Sequence, residues 1–467
     1  MTASSRSQVP PFAVMEIIAA ANARRAQGHR VLSLCAGEPA AGAPAAVRRR
    51  AEELLAGGGL GYTEAVGIPA LRVEIAAHYH RWYGVDLDPR RVAVTTGASG
   101  GFLLAFLSAF DAGDRVTLAR PGYPAYRNIL TSLGARVVEL PCGPATRYQP
   151  TVAQLDALEE PVAGLVVAGP ANPTGTLVDG AGLRELVDWC AEHRVRLISD
   201  EIYHGITYPD TEGGTARHHR AGAPASDGAG APAHDGEAGD RCLPAGSPWA
   251  PVRAGALSAG SPWAPVRAGA RPGSSPMAPA RRSGLPGEGG PAGAPTVAAA
   301  LGDGAVVVSS FSKYWAMTGW RLGWLLLPDD LIAPVDALAG NLALCPPALA
   351  QHAAVAAFDA SAYREAEENV ARYAQSRRLV LDRLPELGWA QVAPAQGAFY
   401  VYADISPTGL DSGTWCARLL EEAGVALTPG TDFDRAGGRD WVRLSFAADP
   451  AVVAEAVDRV IIWQQGL

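Results

Sequence analysis

The chain has 467 residues, of which 48% are hydrophobic and 18% charged, enough to bury a sizeable core in more than one domain. The formal net charge is −8, and the sequence contains neither a basic patch of the kind that binds nucleic acid nor an apolar run long enough to cross a bilayer. Six widely spaced cysteines and a polar N-terminus without a signal peptide lead us to expect a cytoplasmic protein without a disulfide framework or zinc site.

The first part of the chain predicts an N-terminal segment, residues 1–44, followed by an α/β domain, residues 45–328. The segment contains one helical pattern near 14–27, which we expect to pack against a C-terminal domain. In the α/β domain, short β-branched runs alternate with helical patterns at 101–110, 126–133 and 183–193. The predicted strands are 92–95, 116–119, 136–140, 165–168, 196–199, 306–309 and 322–327. This alternation favours a largely parallel sheet that is covered on both faces.

Residues 212–296 interrupt this domain with a low-complexity segment. The sequence AGSPWAPVRAGA begins at Ala245 and is repeated from Ala259, and the segment contains no Ile, Phe or Tyr. Such a composition buries too little apolar area to offset the entropy of ordering the chain, so we predict a disordered surface insertion. The alternative is a partner-binding loop anchored by Trp249 and Trp263.

Residues 329–467 have a different pattern. Long helical patterns cover 331–342 and 349–384, strands are predicted at 398–404 and 441–446, and a closing helix is predicted at 451–463. This combination predicts a smaller C-terminal domain of the α+β type.

Lys313 is the single lysine of the chain, among 39 lysine and arginine residues. Compositional drift toward arginine explains the missing lysines, but not why this one remains. Arginine replaces lysine as a charge but not as an amine nucleophile, so Lys313 is a candidate for Schiff-base chemistry. It follows the strand predicted at 306–309, and Ser310, Ser312 and Arg321 nearby could bind a phosphate. The alternative is a loop with one solvated lysine.

The segment SFSKYWAMTGWRLGW, residues 310–324, resembles the lysine motif of the fold-type I aminotransferases of class I/II. The resemblance covers nearly the whole chain apart from the insertion. It implies an aspartate aminotransferase-like fold, with a mostly parallel seven-stranded sheet in a large domain that binds pyridoxal 5′-phosphate (PLP). It also implies that Lys313 holds PLP covalently, and that an amino group moves by a ping-pong mechanism between an L-amino acid and a 2-oxo acid.

Two further motifs of this family contact the ring of PLP. Asn172, in Asn-Pro-Thr-Gly, matches the asparagine that hydrogen-bonds the phenolic oxygen and lies beside the substrate. Asp200 matches the aspartate that keeps the pyridine nitrogen protonated, which makes PLP a better electron sink. Tyr203 matches the tyrosine that donates to the phenolic oxygen. Without the family, Asn172 would be an ordinary turn residue and Asp200 a helix cap.

The resemblance also assigns residues to the phosphate and to the ring face. Ala98 and Ser99 follow the strand 92–95 at the start of a helix, where backbone N–H groups favour an anion. Tyr123 matches the aromatic residue that stacks on the pyridine. Tyr62 matches the tyrosine that reaches the phosphate of the neighbouring subunit, which implies a homodimer with shared sites. Ordinary core or surface tyrosines remain the alternative for both aromatic residues.

Arg443 and Gly37 match the substrate-binding positions of the family. Arg443 matches the arginine that grips the α-carboxylate, for which a planar guanidinium is well suited. Gly37 matches a backbone position that closes over the substrate. No clear second arginine is available for a side-chain carboxylate, and Gly122-Tyr123 stands where several aspartate-active relatives carry Tyr-Trp, which argues against a dicarboxylate substrate.

Two other functions are compatible with parts of this pattern. A PLP-dependent C–S lyase that catalyses β-elimination shares every residue named above. A PLP-binding regulatory module would need a DNA-binding domain, and the short N-terminal segment leaves no room for one. We therefore expect an aminotransferase that acts on small molecules, without nucleic acid or membrane partners.

Overall fold

The computed structural model describes residues 3–208 and 297–467, so the predicted insertion 212–296, with Trp249 and Trp263, lies outside the described residues. The helices of the described part are α1 (Ala13–Ala26), α2 (Ala45–Gly57), α3 (Pro69–Tyr83), α4 (Gly97–Ala109), α5 (Pro124–Leu133), α6 (Val152–Asp156), α7 (Gly180–His193), α8 (Asp329–Ala343), α9 (Ala348–Ala354), α10 (Ala360–Leu381), α11 (Leu384–Leu387), α12 (Ser412–Arg418) and α13 (Pro450–Gln464). The strands are β1 (Leu32–Ser33), β2 (Val92–Thr95), β3 (Arg115–Arg120), β4 (Arg136–Pro141), β5 (Gly164–Ala168), β6 (Arg196–Asp200), β7 (Val306–Ser310), β8 (Gly323–Leu326), β9 (Gln391–Val392), β10 (Tyr400–Asp404), β11 (Val425–Ala426), β12 (Thr428–Pro429) and β13 (Trp441–Ser445).

A seven-stranded sheet forms the centre of the larger part of the fold, with the strand order β2-β8-β7-β6-β5-β3-β4. Strand β8 is antiparallel to both of its neighbours, and the other pairs are parallel. All residues of β2, β7 and β8 are buried, because these apolar strands are covered by helices on both faces. The expected α/β fold with a mostly parallel seven-stranded sheet is confirmed.

The carboxyl ends of β2, β5, β6 and β7 meet at one edge of this sheet. Strand β6 ends at Asp200, β7 ends three residues before Lys313, and β2 leads directly into α4. In open α/β sheets this edge is where ligands bind, because the loops that follow the strands converge there.

The C-terminal residues form a four-stranded antiparallel sheet, in the order β12-β13-β10-β9, with α10 and α13 packed against each other. Helix α1 contacts β11 and β12, and a small apolar cluster forms at this contact. Its buried members are Ala21, Val31, Cys35, Leu420 and Ala426. In residues 3–208 and 297–467, no helix combines the length and apolar character that a membrane span requires.

Some boundaries differ from those expected from the sequence. The continuous helix predicted at 349–384 is wrong, because α9 ends at Ala354 and a 3-10 turn follows. Asp359 then has extended backbone (φ −71°, ψ 148°), the conformation preferred just before a helix begins. The strand predicted from 398 begins at Tyr400, since Ala398 has a positive φ of 55° that a strand does not accommodate.

Candidate active site

A cavity of about 340 Å³ opens at the carboxyl edge of the large sheet. Every residue that the sequence assigned to the site lines this cavity, except Tyr62. The lining members are Gly37, Ala98, Ser99, Tyr123, Asn172, Asp200, Tyr203, Ser310, Ser312, Lys313, Arg321 and Arg443. Tyr62 is 84% exposed and lies outside the cavity wall.

Lys313 is half-buried in the loop after β7. Its Nζ donates a hydrogen bond to the carbonyl oxygen of Gly37 at 2.6 Å. Burial, aided by the nearby charge of Arg443, lowers the pKa of the Lys313 ammonium to about 8. The amine is therefore much easier to deprotonate than a solvated lysine, as a nucleophile or base requires.

Asp200 is 3% exposed at the end of β6. Burial raises the pKa of its carboxyl to about 6, and hydrogen bonds from Tyr126 and Ile202 oppose that rise. The Tyr126 hydroxyl donates to Oδ2, and the Ile202 backbone N–H donates to Oδ1 at 3.1 Å. Because a pKa of about 6 still lies below 7, the Asp200 carboxylate is mostly ionised at neutral pH and is suited to hold a protonated ring nitrogen.

Asn172 provides an amide group and Tyr203 a hydroxyl group beside Asp200. The Tyr203 hydroxyl lies 2.6 Å from the hydroxyl of Tyr400, and burial raises the pKa of Tyr203 well above its ordinary value. Asn172 Oδ1 accepts a hydrogen bond from Arg443 Nη1 at 2.8 Å, so its NH₂ group is the remaining donor of this side chain. Both residues can donate to an oxygen atom of a ligand.

The first turn of α4 and the loop after β7 form an anion-binding corner. Gly97 has φ +67°, and a Cβ there would lie 2.5 Å from Arg321 Nη2, so the glycine lets the guanidinium pack against the helix start. In the described part of the chain, Arg321 has no carboxylate partner. An unpaired guanidinium beside a helix N-terminus and the hydroxyls of Ser99 and Ser310 matches the chemistry of a phosphate site.

Arg443 is 4% exposed on β13 and is likewise without an acidic partner among the described residues. Its guanidinium lies between two aromatic rings, 4.5 Å from the Tyr400 centroid and 4.7 Å from the Phe433 centroid. Nη2 donates to the Cys35 carbonyl, whereas the buried Nε has no partner in the described structure. A buried guanidinium that forms no salt bridge with a described carboxylate favours an anionic ligand, and a carboxylate fits the planar fork.

The cavity also includes residues that the sequence did not assign. Tyr126 and Tyr400 contact the side chains of Asp200 and Tyr203, and helix α1 supplies an apolar wall of Val14, Met15 and Ile18. Tyr126 stands in the same short motif as Tyr123 and could have been considered with it. No sequence motif identifies the residues of α1 as part of the cavity wall, because only tertiary packing brings them there.

A cavity at the carboxyl edge of a mostly parallel sheet, lined by one lysine, one buried aspartate and two arginines that form no salt bridge with a described carboxylate, defines a PLP-dependent enzyme of the aspartate aminotransferase-like fold. The family model "Aminotransferase class I and II" matches residues 29–225 and 284–460. The chain therefore belongs to the class I and II aminotransferases, and it is a transaminase with PLP as its cofactor.

Similar proteins agree with this assignment. The chain is 44% identical over 459 residues to the valine–pyruvate aminotransferase of Mycobacterium tuberculosis, covering 98% of this chain and 97% of the relative. It is 27% identical to the aspartate aminotransferase of Pyrococcus abyssi, covering 92% and 90%. A crystal structure of an aminotransferase from M. tuberculosis superposes with a TM-score of 0.81 at 42% identity over the full length of both chains. Aspartate aminotransferase from Thermus thermophilus with maleate gives 0.77 at 26% identity, also over the full length of both chains.

Proposed function

We propose that this aminotransferase moves the amino group of a neutral L-amino acid with an apolar side chain, such as valine, to pyruvate or a similar 2-oxo acid. The proposal rests mainly on the number of arginines in the cavity. Its described wall has two arginines, Arg321 and Arg443, which suffice for one phosphate and one α-carboxylate. The similarity to a valine–pyruvate aminotransferase supports the same substrate class.

The apolar wall from α1 agrees with such a substrate. Val14, Met15 and Ile18 contribute side chains that cannot hydrogen-bond a polar substrate group. An aspartate or glutamate substrate would bring a second carboxylate against this wall without a matching cation. Burying that charge unpaired is costly, so the wall disfavours dicarboxylates.

We assign the cofactor contacts as follows. Lys313 holds PLP, which when bound supplies an electron sink for the charge that develops at the substrate Cα. Asp200 keeps the ring nitrogen protonated, Asn172 and Tyr203 donate to the phenolic oxygen, and Tyr123 covers one ring face. The phosphate is held by Ala98, Ser99, Ser310, Ser312 and Arg321.

The substrate is handled by three residues. Arg443 binds the α-carboxylate through a planar pair of N–H groups, and the Gly37 backbone closes over it. Lys313, with its amine free, would act as the base that takes the proton from the substrate Cα and as the acid that returns it. The lowered pKa of Lys313, about 8, suits this base-then-acid role near neutral pH. The first product leaves before the second substrate binds, which makes the reaction ping-pong.

A half-reaction screen tests the proposal. Purified holoenzyme is mixed with each common amino acid, and loss of the visible absorbance band of bound PLP is followed in single turnovers. We expect valine and other aliphatic amino acids to react faster than aspartate and glutamate, and pyruvate to restore the band. Lys313→Ala is the matched control and should bind PLP without the Lys313-dependent band.

Three outcomes would overturn parts of this proposal. Absence of conversion with any amino acid would contradict transamination, and a clear preference for dicarboxylates would contradict the substrate class. Release of pyruvate from cystathionine without an added 2-oxo acid would instead identify a C–S lyase.

We further propose a homodimer in which Tyr62 reaches the partner's phosphate. Tyr62 is 84% exposed, and Leu60, Leu342 and Leu344 are also exposed apolar residues. Large apolar side chains gain free energy when a second subunit removes them from water, which favours association through this region. Light scattering should give twice the chain mass, and a fully active monomer would contradict the proposal.

We infer the same division of the chain as the sequence suggested: an N-terminal segment 1–44, a PLP-binding domain 45–328 interrupted by 212–296, and a small domain 329–467. The separate seven-stranded and four-stranded sheets support it. A cytoplasmic location is supported by the cysteines of the described residues, which are all unpaired. Fractionation of cells that produce the protein would test the location.

A further inference from the structure

Tyr400 contacts Tyr203 and Arg443 and lies against the backbone of Gly37. It begins β10, is 1% exposed and lines the cavity. Its hydroxyl is 2.6 Å from the Tyr203 hydroxyl, and its ring centroid is 4.5 Å from the guanidinium carbon of Arg443. One side chain therefore contacts both the residue assigned to the phenolic oxygen and the residue assigned to the substrate carboxylate.

Gly37 completes this arrangement. A Cβ at Gly37 would lie 1.8 Å from the Tyr400 hydroxyl oxygen, so this position accepts no side chain while Tyr400 keeps its orientation. The carbonyl oxygen of Gly37 accepts the hydrogen bond from Lys313 Nζ at 2.6 Å. The Tyr400 hydroxyl thus fills the space between the Gly37 backbone and Tyr203.

The direction of the hydrogen bond between the two tyrosines follows from counting protons. Each hydroxyl has one proton to donate. If Tyr203 donates its proton to the phenolic oxygen of the cofactor, then Tyr400 has to be the donor in the contact with Tyr203. Burial raises the pKa of Tyr400, so its hydroxyl retains the proton that this role requires.

We propose that Tyr400 is a positioning residue: its hydroxyl donates to Tyr203 and strengthens that residue as a donor to the cofactor, while its ring supports Arg443 for carboxylate binding. This inference rests on the proposed function. A hydroxyl that accepts a hydrogen bond becomes a stronger donor, because the chain of hydrogen bonds polarises it. The face of the ring attracts the guanidinium and fixes its plane.

Two substitutions separate the two roles. Tyr400→Phe removes the hydroxyl and keeps the ring, whereas Tyr400→Leu removes both. In Tyr400→Phe holoenzyme we expect the pH midpoint of the visible absorbance band to rise by roughly half to one pH unit, the size expected for one lost hydrogen bond. A weaker Tyr203 donor stabilises the charge on the phenolic oxygen less, so the Lys313 nitrogen retains its proton to higher pH. The KM for the amino acid should change less than twofold, about the limit for a contact that is not made to the substrate.

In Tyr400→Leu the same midpoint should rise, and the KM for the amino acid should also rise by about tenfold, as expected when a cation–π contact to a buried guanidinium is lost. Tyr402→Phe is the matched control, because Tyr402 is a buried tyrosine of the same strand that does not line the cavity. It should leave both the midpoint and the KM unchanged.

A double-mutant cycle decides whether Tyr400 acts through Tyr203. The charged or titratable groups that interact with this pair are Asp200, Lys313, Arg443, Tyr123 and Tyr126. If Tyr400 acts through Tyr203, then adding Tyr400→Phe to Tyr203→Phe should shift the midpoint no further. An equal shift in both backgrounds, or no shift in the single variant, would overturn the inference. If the parent enzyme has no band that amino acids remove, the proposed function itself fails, and the two failures are thereby distinguished.

Discussion

At the scale of single residues, burial shifts the two central ionisable groups toward neutrality. The pKa of Asp200 rises to about 6 and that of Lys313 falls to about 8. Both shifts are unfavourable for the folded protein without its cofactor, because the charged forms lose hydration. The site is therefore arranged for its ligand at the expense of apoprotein stability.

The first prediction concerns Lys313→Met in cofactor-free protein. The folded-state pKa of about 8 lies below the ordinary 10.5, so below pH 8 the folded protein bears the full cost of the buried ammonium. Without that ammonium, we expect the free energy of unfolding at pH 7 to rise by on the order of 3 kcal/mol. The stability gain of the Met variant over the parent should decrease as pH rises from 8 to 10.5. In this range Lys313 is neutral in the folded parent but still protonated in the unfolded parent, so the cost of the buried charge disappears. Urea unfolding across this pH range measures it.

Lys313→Arg is the control for that experiment. Arginine keeps its charge at every accessible pH, so this variant should gain no stability. Equal stability of the Met variant and the parent at pH 7 would contradict the lowered pKa of Lys313.

The second prediction concerns Tyr126→Phe. The Tyr126 hydroxyl donates to Asp200 and holds its pKa down, so its removal should raise that pKa further. We expect PLP affinity to fall about tenfold at pH 7, as for a lost hydrogen bond to a charged group. The loss should be greater at pH 6 than at pH 8, because protonated Asp200 cannot hold the ring-nitrogen proton. PLP titrations at the three pH values measure it.

Tyr373→Phe provides the matched control, since the buried Tyr373 hydroxyl has no hydrogen-bond partner in the described structure. PLP affinity should be unchanged in this variant. If Tyr126→Phe behaved in the same way, Asp200 would not depend on Tyr126.

At the scale of secondary-structure elements, helix α1 depends on distant residues for its position. It has no side-chain cap of its own, and the backbone N–H of Ala13 donates to Asp432 Oδ1 at 3.2 Å. Phe12, just before the helix, stacks with Tyr123 at 6.1 Å between centroids. These contacts hold Val14 and Ile18 at the cavity wall, so the element at the beginning of the chain helps to define substrate size.

The third prediction tests that role with Ile18→Ala. Removing this side chain from the wall enlarges the space for the substrate, so kcat/KM for leucine relative to valine should increase about tenfold, the scale of one methylene-sized contact. Ile17→Ala is the control, because Ile17 is also partly buried against the α1 cluster but does not line the cavity. In Ile17→Ala, kcat/KM for leucine relative to valine should equal that of the parent. An equal ratio in all three proteins would remove α1 from substrate selection.

Sequence and structure agree best for the strands of the large sheet. Predicted and observed ends of β2 coincide, and those of β3 and β5 differ by one residue, since buried β-branched runs are distinctive. The two-residue strands β11 and β12 are too short to produce a periodicity. For the site, motifs preserved along the chain indicated Lys313 and Asp200, whereas Tyr400 required knowledge of which strand packs beside Tyr203.

At the scale of the whole molecule, the described residues stop at Tyr208 and resume at Val297. Both positions are firmly packed. The Tyr208 hydroxyl donates to the Ala398 carbonyl at 2.6 Å, and the backbone N–H of Ala298 donates to Glu201 Oε1 at 2.9 Å. The family model also matches on both sides of residues 226–283 and not within them.

The fourth prediction follows from these anchors. Replacing residues 226–283 by a short Gly/Ser linker should leave the melting temperature and kcat/KM close to those of the full chain, because a flexible connection costs little chain entropy when Tyr208 and Ala298 on either side of it are bound to the core. Thermal unfolding and steady-state kinetics of the two proteins measure this. A large loss of folding or activity would mean that the segment belongs to the functional enzyme.

The presence of one ε-amino group, inside the cavity, has a practical consequence. Reagents that modify amines can react with this chain at two kinds of group, the α-amine at the N-terminus and Lys313. Borohydride reduction of the holoenzyme should therefore attach the pyridoxyl group to a single peptide. The mass of the intact reduced protein would then report directly what fraction of subunits carries the cofactor, without any correction for labelling of surface lysines.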